Sequence, residues 1–198
     1  MYCIMIGVLG FLLLFFFDLT SLKRVPMLKL GFLVTGNCLI GTAIVSACFD
    51  SEHIALPNYA HCCGWCICPL FFLLLIYSLF FEIPFRKTYI SKGSCDLLIT
   101  TGTYGLVWHP GVLWFILFLA GLFLITGSKR LLICLTVMSI LDVLYAVIQE
   151  KLFFVRIFGN DYREYQKLVP MFIPDASSLK RCVSTFIKFA PSRETETS

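Results

Sequence analysis

Polar side chains that could do chemistry occur at two places in the second half of this apolar chain. The first place is Gly102-Thr103-Tyr104 followed by Trp108-His109-Pro110, and the second is Asp142, Gln149 and Glu150. Histidine and carboxylate side chains commonly transfer protons. Ionisable residues at membrane depth are costly and usually have a function. We therefore treat the two groups as one candidate site.

Chain geometry should bring the two groups together. About 40 residues separate His109 from Glu150, which is enough for two membrane spans and a tight turn, so both should lie at the same membrane end. On a helix, Asp142, Tyr145, Gln149 and Glu150 follow the spacing i, i+3, i+7 and i+8, which is one stripe. This stripe should face the helix bundle or a polar cavity, because contact with lipid would be costly.

Each of these residues also has a purely structural interpretation. His109 could be an interfacial histidine before Pro110, whose fixed φ suits the first turn of a helix. Asp142 could form a hydrogen bond to a neighbouring helix. Glu150 could be the first solvated residue after a span. Convergence from separate parts of the chain favours the functional interpretation.

The composition requires a membrane protein. Of 198 residues, 59% are hydrophobic and 14% charged, and the mean hydropathy is +0.87. This excludes disorder and makes a water-soluble globule untenable, since about one-quarter of a soluble domain is charged. Half of the 28 charged residues lie from Glu150 onward. No Gly-rich phosphate loop and no basic patch interleaved with aromatic residues occurs, so no nucleic-acid partner is expected.

Five apolar stretches approach or reach the length of about 20 residues that a spanning helix needs. They are Met1 to Phe17, which is short, Leu30 to Phe49, Gly64 to Phe85, Gly111 to Thr126, and Leu131 to Gln149. The sequence therefore predicts an all-α, polytopic membrane bundle of about five transmembrane helices with C-terminal interfacial helices. Residues 1–85 form its N-terminal three-span region.

The basic residues predict the orientation, because Lys and Arg near span ends favour the cytoplasm. Loop one has Lys23, Arg24 and Lys29, loop three has Arg86, Lys87 and Lys92, and eight basic residues lie between Lys151 and Arg193. The N-terminus should be outside, and the site and C-terminus cytoplasmic, at the endoplasmic reticulum of a eukaryote or the inner membrane of a bacterium. Lys129 and Arg130 depart from the rule in a turn too short to choose its side.

Beyond Glu150, the sequence predicts a roof over the site. The apolar run Leu152 to Phe158 should lie on the membrane surface as an interfacial helix. After Gly159, Asn160 or Asp161 is a suitable N-cap for a short helix that Pro170 ends. Residues 175–198 should form a solvated tail.

Ten cysteines occur in the chain, and several lie inside apolar spans, where cysteine behaves as a small hydrophobe. The dense run contains His61, Cys62, Cys63, Cys66 and Cys68. A zinc site would need a second ligand pair at a suitable spacing, and none is present. We predict no metal, and a disulfide or plain interfacial cysteines beside Trp65 remain open.

Short motifs follow one another between residues 102 and 174. They are Gly102-x-Tyr104-xxx-Trp108-His109-Pro110, Gln149-Glu150, Phe158-Gly159-xx-Tyr162-xx-Tyr165, and Val169-Pro170-xx-Ile173-Pro174. In this order they resemble the isoprenylcysteine carboxyl methyltransferase and phospholipid methyltransferase family of integral membrane enzymes. The resemblance covers about residues 90–174 and implies that residues 86–174 form a methyltransferase-like region with a cofactor loop, a helical hairpin and interfacial helices.

The resemblance implies S-adenosylmethionine as the cofactor. Its expected binding residues are Asp96, Leu97, Leu98, Ile99, Tyr104, His109, Pro110, Gly111 and Val112. Glu150 matches the family's acid at the substrate side, where it would act as a base or hold the cofactor's ammonium group. The chain departs from the family in having Trp108 before His109, Val112 for an aromatic residue and Gln149 for glutamate. Ala146 replaces the arginine that would contact a carboxylate substrate.

The implied function is methyl transfer to a lipid or prenylcysteine-type acceptor at the cytoplasmic membrane face. Prenylcysteine, a phospholipid amine and a small thiol all remain open as the acceptor, and the oligomeric state is open too. Two alternatives are a non-catalytic membrane protein that retains the fold and a sterol-type NADPH reductase. Against the reductase, no dinucleotide-binding fingerprint occurs.

Overall fold

The long apolar stretches form the helices of an all-α bundle. The computed structural model describes residues 2–22, 26–83 and 98–189. Its helices are α1 Tyr2–Leu22, α2 Pro26–Cys48, α3 Asn58–Ile76, α4 Pro110–Thr126, α5 Lys129–Gln149, α6 Val155–Leu168 and α7 Ala176–Phe189. Over these residues there is no β-strand. The predicted all-α membrane fold is confirmed.

Four helical segments are long and apolar enough to cross a membrane. They are Tyr2–Ser21, Met27–Cys48, Asn58–Glu82 and Lys129–Phe154. The last two include π-helical turns, Tyr77–Glu82 after α3 and Glu150–Phe154 after α5. The remaining predicted span, fourth in chain order, is α4, an apolar helix of 17 residues. At 1.5 Å per residue it is about 25 Å long, somewhat less than the roughly 30 Å of a hydrocarbon core.

Small residues allow the helices to approach closely. A Cβ at Gly36 of α2 would lie 3.0 Å from the carbonyl oxygen of Gly10 on α1. In the same way, a Cβ at Gly121 of α4 would lie 2.7 Å from the backbone nitrogen of Cys68 on α3. Helix pairs in membranes depend on such contacts, because water exclusion does not drive their association. The bundle therefore consists of an α1–α2 pair and an α3–α4 pair, with α5 packed against α1, α2 and α4.

The turn between α4 and α5 is held by the loop that follows α2. Gly127 caps α4 in the left-handed conformation, with φ 62°, and the Ser128 side chain accepts a hydrogen bond from the backbone of Leu131. Arg130 lies 2.7 Å from Asp50, and Lys129 lies 3.1 Å from Glu52. The two basic residues that depart from the orientation rule are thus each paired with an acid of the adjacent loop.

The C-terminal region agrees with its prediction in one respect and differs in another. As predicted, a break at Gly159 precedes the short helix that ends before Pro170: α6 consists of two helical pieces that meet at Gly159, whose φ of 58° is a conformation that favours glycine. By contrast, residues 176–189 of the expected solvated tail form α7. This helix packs against the 3-10 turn Gly102–Gly105, with the Cys182 backbone beside Gly105 and the Thr185 hydroxyl bonded to the Gly102 nitrogen.

Some residues named in the sequence analysis lie outside the described part of the chain. They are Met1, Lys23, Arg24, Phe85, Arg86, Lys87, Lys92, Asp96, Leu97 and Arg193.

Candidate functional site

The turn before α4 is fixed by a carboxylate from α3's π-helical extension. Glu82 accepts hydrogen bonds from the backbone nitrogen of Thr103, at 2.7 Å, and from the Thr103 hydroxyl. Gly102 has φ 63°, and a Cβ there would collide with the Glu82 carboxylate. The Gly102 nitrogen donates to the Thr185 hydroxyl of α7 at 2.9 Å. Sequence analysis assigned no role to Glu82, because its partners are more than 20 residues away.

The segment between this turn and α4 is held by residues around the end of α6. The backbone nitrogen of Trp108 donates to the Pro170 carbonyl at 3.0 Å, and the Trp108 indole donates to the Val169 carbonyl. The Tyr165 hydroxyl donates to the Tyr104 carbonyl at 2.5 Å. Val169 itself is extended, as expected for a residue before proline. Trp108 therefore attaches the end of α6 to the segment before α4.

His109 is the N-cap residue of α4, with Pro110 in the first helical position. Its ring is 6% exposed and packs against Phe154 and Phe172, with ring centroids 6.0 and 5.7 Å away. Burial lowers the pKa of His109 to about 4, so the imidazole is neutral at neutral pH. Within the described residues, its Nε2 atom has no hydrogen-bond partner.

Glu150 lies beside His109, as expected for the two ends of a helical hairpin. Its Oε2 atom is 4.0 Å from His109 Nε2, which is too long for a hydrogen bond. Its Oε1 atom accepts a hydrogen bond from Gln166 of α6 at 2.6 Å. With His109 neutral, this contact is not an ion pair at neutral pH.

A cavity of about 410 Å³ lies beside this histidine, between α4, α5 and the α1–α2 pair. Its size is within the roughly 300–1,000 Å³ of small-molecule sites. Seven residues that the resemblance assigns to the cofactor line it: Leu98, Ile99, Tyr104, His109, Pro110, Gly111 and Val112. The buried Ala146 also lines it. The remaining two, Asp96 and Leu97, are outside the described residues.

The predicted stripe on α5 is divided between Gln149 and Glu150. Asp142, Tyr145 and Gln149 line the cavity. Glu150 is not among the described residues that line it; its carboxylate is directed to His109 and Gln166 instead. Consecutive residues of a helix with 3.6 residues per turn point about 100° apart, so Gln149 and Glu150 can face different neighbours.

A second polar wall comes from the N-terminal spans, where none was predicted. Asp18 of α1 accepts hydrogen bonds from the Tyr145 hydroxyl at 2.6 Å and from Gln149 Nε2 at 2.9 Å. Lys29 of α2 is 1% exposed, interacts electrostatically with Asp18 and also lines the cavity. In the sequence, this wall is indicated only by charged residues at the ends of apolar stretches, such as Asp18 after Phe17.

The cysteine run lies away from the cavity. Cys62, Cys63 and Cys66 are exposed thiols, and His61 Nδ1 lies 3.0 Å from the carbonyl oxygen of Ile125, within hydrogen-bonding distance. Over the described ranges, no three His, Cys, Asp or Glu side chains converge as metal ligands. The cysteine run thus contributes no side chain to the described lining of the cavity.

No protein-family model, curated protein or solved structure matches this chain. The function must accordingly be inferred from the cavity and from the residues that surround it.

Proposed function

We propose that this protein is an integral membrane S-adenosylmethionine-dependent methyltransferase that acts on a lipid or prenylcysteine-type acceptor at the cytoplasmic membrane face. One observation carries the proposal. Seven residues that the motif resemblance assigns to the cofactor, spread over residues 98–112, line a single cavity. These residues come from a loop, a 3-10 turn and the first turn of a helix, and nothing in their local structure requires the three segments to line the same cavity.

The residues present suit such a cofactor. The first backbone N–H groups of α4 lack intrahelical partners and carry partial positive charge, which favours a carboxylate such as that of the cofactor's amino-acid part. Tyr104 and the aliphatic Leu98 and Ile99 offer an apolar surface for its adenosine part. The buried His109 Nε2, with no partner among the described residues, can bond to a polar group of the ligand.

When bound, S-adenosylmethionine would supply an electrophilic methyl group on a sulfonium ion. The chain's contribution would then be to hold the acceptor near that methyl and to exclude water. Phe154 and Phe172 shield the His109 ring. Gln166 holds the Glu150 carboxylate beside that ring, where Glu150 would act as a base or hold the cofactor's ammonium group.

The cytoplasmic location of the site is part of the proposal. It is supported by the eight basic residues between Lys151 and Arg193, because basic residues near span ends favour the cytoplasm. At the opposite end, Lys129 and Arg130 are paired with acids. The compartment would be the endoplasmic reticulum or a bacterial inner membrane.

Calorimetry with purified protein in detergent tests the proposal directly. S-adenosylmethionine should bind to the wild type, and tritium from its methyl group should enter extracted lipid. His109→Ala and Glu150→Ala should weaken binding or turnover, whereas Lys129→Ala, at the other membrane end, should change neither. The absence of both binding heat and lipid labelling in the wild type would refute the enzyme hypothesis.

A non-catalytic ligand-binding protein is the second candidate. The observation that favours it is the use of Trp108 to hold the Val169 carbonyl, together with the apolar Ala146 on the cavity wall. Two positions that carry arginine in the family thus offer no cation here. Binding of the cofactor without any methyl transfer would identify this candidate.

A further inference from the structure

Among the described charged residues of the cavity, Asp142 is distinguished by its lack of a partner. It lies on α5 and lines the cavity. Over the described residues, no hydrogen bond or ion pair engages its carboxyl group. By contrast, Asp18 accepts two hydrogen bonds and interacts with Lys29. An ionised carboxylate at membrane depth is costly unless a cation pairs with it.

The charges around the cavity are therefore unbalanced. Among the described lining residues, the charged side chains are Asp18, Lys29 and Asp142, since His109 is neutral at neutral pH. Asp18 and Lys29 interact with one another, which leaves the Asp142 carboxyl group without a cation among the described lining residues. A ligand that bears a positive group would neutralise it, whereas a ligand carboxylate would face like charge.

The cavity also has a route to the surrounding lipid. Leu33 and Asn37 of α2 line one side, and Leu75 and Leu79 of the α3 segment line another. These two helical segments belong to different pairs, because α2 packs against α1 and α5 while α3 packs mainly against α4. Asn37 lines the cavity and is an exposed residue. An apolar tail can thus leave between α2 and α3.

We propose that the Asp142 carboxylate binds the protonated amine of a membrane-borne amphiphile whose tail leaves the cavity between α2 and α3. Asp142 precedes Glu150 by eight residues, so this subsite is about 12 Å along the helix from the His109 end. To act as the methyl acceptor, such an amine would first transfer its proton to the Asp142 carboxylate, which frees the nitrogen lone pair to form the N–CH3 bond as the cofactor's S–CH3 bond breaks; this role rests on the proposed function. As a ligand, it does not depend on that function and can be tested without cofactor.

The test is thermal unfolding of the full chain in nonionic maltoside micelles with four probes. Dodecylamine carries both the cation and the tail, dodecanol and dodecanoate lack the cation, and butylamine lacks the tail. At ten times its Kd, a ligand raises the Tm of a chain of this size by about 3 to 6 °C. Dodecylamine should produce this shift, butylamine should need a much higher concentration, and dodecanol and dodecanoate should produce none.

Variants then test the residue. Asp142→Asn should weaken dodecylamine binding roughly 10- to 100-fold, the range expected for loss of a charged hydrogen-bond partner. Asp142→Glu should retain binding. Asp161→Asn, which removes an exposed acid of α6, should behave as wild type and controls for amine-induced changes in micelle charge.

Two results would overturn the proposal: equal shifts with dodecylamine and dodecanol in the wild type, or a full dodecylamine shift in Asp142→Asn. The first needs no variant, so a failure of Asp142→Asn to fold leaves the test intact. If butylamine raised the Tm as much as dodecylamine at the same concentration, the tail would not contribute to binding, and the claim that the ligand is a membrane-borne amphiphile would be wrong. Amine binding without cofactor heat contradicts only the methyltransferase, and cofactor heat without amine selectivity contradicts only the Asp142 subsite.

Discussion

Acidification should destabilise the folded protein through His109. Burial lowers the pKa of this histidine from 6.5 to about 4, so the unfolded chain takes up a proton near pH 6.5 while the folded chain does not. Above pH 6.5 the ring is neutral in both states, so His109 makes the free energy of unfolding no more dependent on pH. As the pH falls from 6.5 towards 4, protonation of His109 in the unfolded chain progressively lowers the free energy of unfolding. At pH 5 the loss is RT ln[(1 + 10^1.5)/(1 + 10^−1)], or about 2 kcal/mol.

Thermal unfolding in maltoside micelles at pH 7.5 and 5.0 measures this effect. For a chain of this size, 2 kcal/mol corresponds to a Tm difference of about 4 to 8 °C. His109→Asn does not titrate in this range, so its Tm should fall less than that of the wild type by about this amount. His53→Asn, which removes an exposed histidine, is the control for general effects of acid on the micelle and the carboxylates. Equal falls in the wild type and His109→Asn would show that His109 is not buried as a neutral ring.

Two further predictions concern packing and the C-terminal helix. Gly121→Ala should lower the free energy of unfolding by about 1 to 3 kcal/mol, because its Cβ would meet the Cys68 backbone at 2.7 Å. A Cβ at Gly41 would have no atom within 4 Å, so Gly41→Ala should leave the free energy of unfolding unchanged or raise it by up to about 1 kcal/mol. Denaturant titration measures both variants, and an equal loss of stability in the two would contradict the close α3–α4 contact. Asp175→Ala removes the side chain that caps the N-terminus of α7. Because loss of a cap destabilises a helix, trypsin should cleave faster after the exposed Lys180. An unchanged cleavage rate would contradict this role of Asp175.

The membrane fold could be predicted because it follows from a one-dimensional property. A spanning helix must satisfy its own backbone and needs a minimum number of apolar residues. The limits Gly111 to Thr126 predicted for the fourth span differ from those of α4 by one residue. Local hydropathy fixes such limits without knowledge of any neighbour.

Contacts between helices could not be predicted in the same way. The helical period places Asp142, Tyr145 and Gln149 on one face of α5, but it does not identify what that face meets. Its partner is Asp18, more than 120 residues earlier in the chain. The prediction also placed Glu150 on this face, but its carboxylate meets His109 and Gln166 instead, because it points about 100° away from Gln149 around the helix.

These contacts change the role of the N-terminal spans. Sequence analysis used residues 1–85 only to establish membrane topology, yet Asp18 and Lys29 form part of the cavity wall. Without α1, the Tyr145 hydroxyl and Gln149 amide would lose the carboxylate that they hold. Asp142 would then share its surroundings with two unsatisfied polar groups, and any preference for a cation would no longer depend on it alone. The selectivity of the cavity therefore depends on both halves of the chain, and the motifs of residues 102–174 are not sufficient to build it.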